Sequence, residues 1–86
     1  MTEKFYELFE NEKVLIEKID SLGFGSPLYH QNHDEWVYLL NGQAHLMLND
    51  EEIILIKGDH LFIEKDVTHQ VIKTSIDCEW IAVHIK

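Results

Sequence analysis

The sequence has no arginine, one cysteine, one proline and four glycines among its 86 residues. Without arginine it lacks the planar fork that grips phosphates and carboxylates with two hydrogen bonds at once, so an anionic ligand would need lysine or a metal ion. With Cys78 alone, no disulfide can close within the chain, and no zinc site built on two or more thiolates can form. Positive charge is scarce too: seven lysines face sixteen acidic residues, for a net charge of −9. That balance repels nucleic acid and anionic membranes, and neither is an expected partner. No apolar run approaches the roughly 20 residues of a membrane-spanning helix. The start MTEKFYELFE also lacks the basic and apolar regions of a secretory signal, so the expected location is cytoplasmic.

The apolar content, 45%, and the charged content, 27%, are those of an ordinary globular protein, and the length allows one domain covering residues 1–86. A chain this short buries only roughly 60% of its unfolded surface, which makes a homodimer the expected way to cover a further face. Near the N-terminus, Thr2 can cap a short helix over about residues 3–10, with Phe5, Leu8 and Phe9 on one side. From about residue 13 onward the pattern is that of strands. KVLIEKID, EWVYLL, QAHLML, EEIILI, HLFIE, VTHQVIK and CEWIAVHI are short runs rich in β-branched, leucine and aromatic residues, separated by turn residues. Seven such runs predict a small β-sandwich or barrel. Asn41-Gly42 predicts a tight hairpin between EWVYLL and QAHLML, and Asn49-Asp50 predicts the next turn.

Strand periodicity places Glu35 with Val37 and Leu39, and His69 with Val67 and Val71, so a carboxylate and an imidazole both point inward. Both faces of EWVYLL are apolar beyond its first residue, and Trp36 and Tyr38 are assigned to a subunit interface. His45 is expected on the exterior, and His84, which shares a face with Cys78, Trp80 and Ala82, as a packed histidine. Cys78 has no lysine or histidine within four residues and is expected to be a buried, inert thiol.

The spacing of Glu35 and Gly42, followed by Gly58-Asp59 and His69, resembles the two-motif signature of the cupin superfamily. In that signature two histidines flanking one residue precede the glutamate, with three or four residues between the second histidine and the glutamate. The longer spacing puts His30 at the second histidine and Leu28 at the first. The shorter spacing puts Tyr29 and Gln31 at the two histidine positions and Gly23 at the opening glycine. In the second motif Gly58 and His69 match, whereas Glu64, Asp66 and Lys73 replace the usual proline, glycine and asparagine. The resemblance implies an all-β, jelly-roll-like double-stranded β-helix. It also implies one divalent metal ion (Fe, Mn, Zn or Ni) held by His30, Glu35 and His69, with His33 as a possible fourth ligand. Tyr29, Gln31 and His60 are the candidates for lining a ligand pocket. By resemblance the activity would be dioxygenase or isomerase chemistry on a small organic molecule. The competing expectation is a metal-free cupin that binds a small neutral ligand such as a sugar, or acts as a structural or regulatory module.

Overall fold

The computed structural model describes residues 3–86. Eight antiparallel strands, β1 (Lys4–Glu10), β2 (Val14–Asp20), β3 (Asp34–Asn41), β4 (Gln43–Leu48), β5 (Glu51–Ile56), β6 (His60–Ile63), β7 (His69–Thr74) and β8 (Glu79–Ile85), make up the fold. They form a five-stranded sheet of order β1-β2-β8-β3-β6 that faces a three-stranded sheet of order β5-β4-β7. The all-β architecture agrees with expectation, and no helix of the described residues is long and apolar enough to cross a membrane.

The short N-terminal helix is not there. Residues 4–10 run as an edge strand paired to β2, and no helix forms among the described residues; Thr2, the expected cap, lies outside them. The physical reason is local. Asn11 closes a hairpin by accepting hydrogen bonds from the backbone N–H groups of Lys13 and Val14 through its side-chain oxygen, at 2.8 and 2.9 Å. That brings KFYELFE alongside a ready-made strand, where pairing outweighs the poorly nucleated helix that seven residues could make. A bulge at Leu8 shifts the register between Glu7 and Phe9.

Asn41-Gly42 turns the chain, but it does not make a hairpin. β3 pairs with β8 and β6, whereas β4 pairs with β5 and β7, so this corner carries the chain from one sheet to the other. Only Gly42 takes positive φ, at 82°, while Asn41 stays extended and pairs with Glu79; a type I′ hairpin needs both to be left-handed. A side chain at position 42 would also strike the neighbouring loop, with its Cβ 2.3 Å from Ser75 Oγ and 2.9 Å from Cys78 Cα. The true two-residue hairpin joins β4 and β5 through Asn49-Asp50, with Asn49 at φ 52°.

Between the sheets lies a core of Val37, Leu39, Ala44, Leu46, Leu55, Cys78, Trp80 and Ala82, with Ile19, Ile53, Leu61 and Val71 packed against it. Cys78 is fully buried, and burial pushes its thiol up to about 12, so almost no thiolate forms at neutral pH. The cross-strand register sets which residues meet on the inner face. Ile19, Trp80 and Leu39 form one row, Glu17, Ala82 and Val37 the next, and Leu15, His84, Glu35 and Ile63 the last. Apolar side chains therefore fill one end of the interior, and ionisable ones collect at the other.

Candidate functional site at the open end of the barrel

Two connections assemble the polar end. Strand β8 sits between β2 and β3, which places His84 directly opposite Glu35 and one row from Glu17. The segment 25–29, between β2 and β3, lies against β7. Ser26 N donates to the Val71 carbonyl at 2.8 Å, and Tyr29 and His69 exchange backbone hydrogen bonds of 2.8 and 3.0 Å. Gly25 permits that approach, since a Cβ there would lie 2.6 Å from the Ile72 carbonyl oxygen. Tyr29 thus comes to rest beside His69, with ring centroids 5.6 Å apart.

The result is a cavity of about 220 Å³ lined by Tyr29, Gln31, Glu35, His69 and His84, with Glu3 and Glu17 among its acidic groups and Phe5, Val37, Leu46, Val71 and Trp80 among its apolar ones. Glu35 is only 7% exposed and His69 6%. Burial raises the Glu35 carboxyl above its ordinary pKa, opposed by the nearby imidazoles of His84, His69 and His33. The Glu35 carboxylate accepts no hydrogen bond among the described residues, and its Oε1 stands 3.8 Å from His69 Nε2, within ion-pair range but beyond hydrogen-bond reach. No direct hydrogen bond therefore joins these two groups.

His69 Nδ1 lies 3.2 Å from the Val67 carbonyl oxygen. A carbonyl only accepts, so this bond puts a proton on Nδ1, and a ring carrying one proton turns its Nε2 lone pair toward Glu35. Histidine ligands of metals are held in this manner. Gln31 Oε1 is buried without a hydrogen-bond partner, although its side chain lines the same cavity. No group of three His, Cys, Asp or Glu side chains converges as a metal site among the described residues. Glu35, His69 and Gln31 do line one cavity, and a carboxylate, an imidazole and an amide oxygen are a mixed set of the kind a divalent first-row metal ion accepts.

The other expected ligands lie elsewhere. His30 is exposed and sits 3.6 Å from Asp66, because the alternation along residues 29–31 turns Tyr29 and Gln31 inward and His30 outward. His33 lines a separate cleft with Asn32 and Lys86, its Nε2 3.0 Å from His84 Nδ1. His60 is on the outer face, 6.0 Å from the Trp36 ring, because β6 continues β3's outward row through Tyr38. His45 is also outward, 3.3 Å from Glu52.

Sequence reasoning missed Glu17 and His84. His84 Nε2 donates to Glu17 Oε1 at 2.9 Å, so a ring carrying one proton accepts at Nδ1 from His33 Nε2. The available signal was His84's place on the same face as Trp80 and Ala82. What it lacked was the pairing of β8 with β3.

A family model for the cupin domain matches residues 16–84, most of the chain. The chain belongs to the cupin family. Among solved structures, this cupin is similar to a protein of Ralstonia eutropha provisionally named a mannose-6-phosphate isomerase. The two share 31% identity with a TM-score of 0.92, covering 98% of this chain and 84% of the other. KdgF from a Halomonas species is 15% identical at TM-score 0.89, covering 96% and 79% of the two chains. A Thermotoga maritima protein provisionally named an oxalate decarboxylase is 23% identical at TM-score 0.85, again covering 96% and 79%. The latter two likenesses speak to the fold. No curated protein matches this cupin's sequence.

Proposed function

We propose that this cupin holds a divalent metal ion with Gln31, Glu35 and His69 and acts on a small organic molecule in the cavity above it. One observation carries the reading: three donor groups line one cavity, and none of them is hydrogen-bonded to the protein among the described residues. They are the buried Glu35 carboxylate, the His69 Nε2 lone pair and the orphaned Gln31 Oε1. Leaving the Gln31 oxygen buried and unpaired costs about 1–3 kcal/mol, and burying the Glu35 charge without a hydrogen bond costs more. A cation bound there would offset that cost.

When bound, the ion supplies Lewis acidity and open positions for substrate. Val67 fixes the ring of His69, and Tyr29 packs against it. His84 has both ring nitrogens engaged, by Glu17 and His33, so it serves as an oriented wall of the cavity. Val37, Leu46 and Val71 keep the floor apolar. Isomerase or dioxygenase chemistry remains the family range in which to look. The name mannose-6-phosphate isomerase borne by the Ralstonia relative finds no support in the chain's own cations: among the described residues no lysine lines the cavity, and the sequence has no arginine, so a phosphate there would depend on the metal ion alone.

The test is the metal content of protein purified without added metal or chelator, measured by elemental mass spectrometry per subunit. Near-stoichiometric Fe, Mn, Ni or Zn that is lost in both His69→Ala and Gln31→Leu supports the site. Metal retained in both variants overturns the assignment. The alternative is a metal-free binding cupin, favoured by the replacement of both motif histidines with Tyr29 and Gln31, and it predicts no metal even after reconstitution.

The outer face of the five-stranded sheet supports the homodimer reading. Phe9, Ile16, Val83, Trp36 and Phe62 form one apolar row across all five strands. Trp36 and Tyr38 stack with ring centroids 5.9 Å apart, and Phe62 is 48% exposed. A contiguous apolar face of this kind calls for a cover, and a second copy is the cover we propose. Light scattering should give about twice the monomer mass, falling to the monomer value in Trp36→Glu; a monomeric wild type at micromolar concentration rejects this interface.

A further inference from the structure

The walls of the cavity carry charge of one sign. Three carboxylates, Glu3, Glu17 and Glu35, line it, and among the described residues no lysine does. Tyr29 lines the same cavity as all three carboxylates.

Each of the two outer carboxylates is anchored from behind. Ser21 is fully buried; its Oγ accepts from Trp80 Nε1 at 2.8 Å and donates to Glu3 Oε2 at 2.6 Å. Glu17 Oε1 accepts from His84 Nε2 at 2.9 Å. In each case one oxygen is held and the other carries no hydrogen bond among the described residues. The Glu35 carboxylate, more than nine-tenths buried and lining the same space, accepts no hydrogen bond among the described residues. The remaining wall is aromatic, made of Tyr29, Trp80 and the half-exposed Phe5 at the mouth.

Fixed carboxylates beside aromatic faces form the chemistry that recognises an organic cation. The carboxylates accept charge-assisted hydrogen bonds from N–H groups, and the ring faces attract the positive charge. An anion would meet three like charges and no counter-charge from the chain. We propose that the cavity takes a small organic molecule carrying an ammonium group, seated between Glu3 and Glu17 against the Tyr29 and Trp80 rings. The volume of about 220 Å³ falls below the roughly 300–1,000 Å³ typical of drug-sized ligand sites, which restricts the ligand to a small amine. The inference rests on reading this cavity as the ligand site, and its test turns on Glu3 and Glu17, which are not among the proposed metal donors.

The test compares three probes of similar size and different charge: 2-phenylethylammonium, 2-phenylethanol and 3-phenylpropionate. Each is titrated calorimetrically into the whole chain near pH 7.5, once after chelator treatment and once after reconstitution with Mn²⁺. The expected result is that the ammonium binds at least tenfold more tightly than the alcohol or the carboxylate in the chelated protein. Glu17→Gln and Glu3→Gln should each weaken the ammonium several-fold and leave the alcohol unchanged. Equal or tighter binding of the alcohol or the carboxylate to the chelated protein overturns the proposal. So does an ammonium preference that survives both substitutions, or the failure of all three probes to bind. Metal content is measured on the same samples. A protein that holds metal yet shows no ammonium preference has lost only this inference, whereas one that takes up neither has lost the metal reading as well.

Discussion

The two ends of strands β3 and β8 share an inner face and a pleat, yet they do opposite things. At one end Leu39 meets Trp80 across the ladder; four residues along, Glu35 meets His84. Leu39 is fully buried among apolar neighbours, and Glu35 is nearly as buried but beside imidazoles and without a hydrogen bond. Burial thus has opposite signs along a single strand. It stabilises the fold at the dry end and imposes a cost at the open end, and that cost is what a bound cation can relieve.

Leu39→Ala is the largest way to break the comparison. It leaves a cavity between the sheets and should lower stability by about 2–5 kcal/mol, read as a shift of the urea midpoint at unchanged slope. A loss under about 1 kcal/mol would mean that this end is not the packed core. A smaller change of the opposite sign is expected from Glu35→Gln. In metal-free protein at pH 7 it should raise stability, on the order of 1 kcal/mol, because an unpaired buried charge is removed.

The pH dependence sharpens the same point. Burial raises the Glu35 carboxyl in the folded state, so the folded chain binds that proton more tightly than the unfolded chain does. The contribution is therefore fully present below the ordinary carboxylate pKa, about 4.3, and is lost as pH rises through the window between that value and the raised folded one. Urea titrations of wild type and Glu35→Gln should diverge across that window, with the wild type falling relative to the variant as pH rises. Parallel curves would show that Glu35 is stabilised as an anion by groups other than a bound cation.

Much of the chain was legible from local pattern because a strand's faces depend only on alternation. The inward placing of Glu35, Val37 and Leu39 and the outward placing of Trp36 and Tyr38 follow from period two, as does the burial of Ala44 and Leu46. The N-terminal segment was misread because Phe5, Leu8 and Phe9 also fit a helix, and a bulge at Leu8 disguises the strand's alternation. Asn41-Gly42 was read correctly as a turn and wrongly as a hairpin. A turn is a property of a few φ angles, whereas a pairing is a property of two whole strands.

The candidate site divides in the same way. The motif spacing singled out Glu35 and His69, and its shorter register placed Tyr29 and Gln31 at the histidine positions. Choosing between the registers required knowing which of residues 29–31 faces β7, and Gly25 and the Tyr29–His69 bridge decide that in three dimensions. Sequence by itself determined the β-rich class, the family and the dominance of negative charge, since these depend on composition, alternation and spacing along the chain. Only the tertiary structure decided that His30 stays outside, that Gln31 turns in, and that His84 and Glu17 join Glu35. Those contacts are set by strand order across the sheet, and strand order couples residues as distant as Glu17 and His84, 67 positions apart, that no local pattern connects.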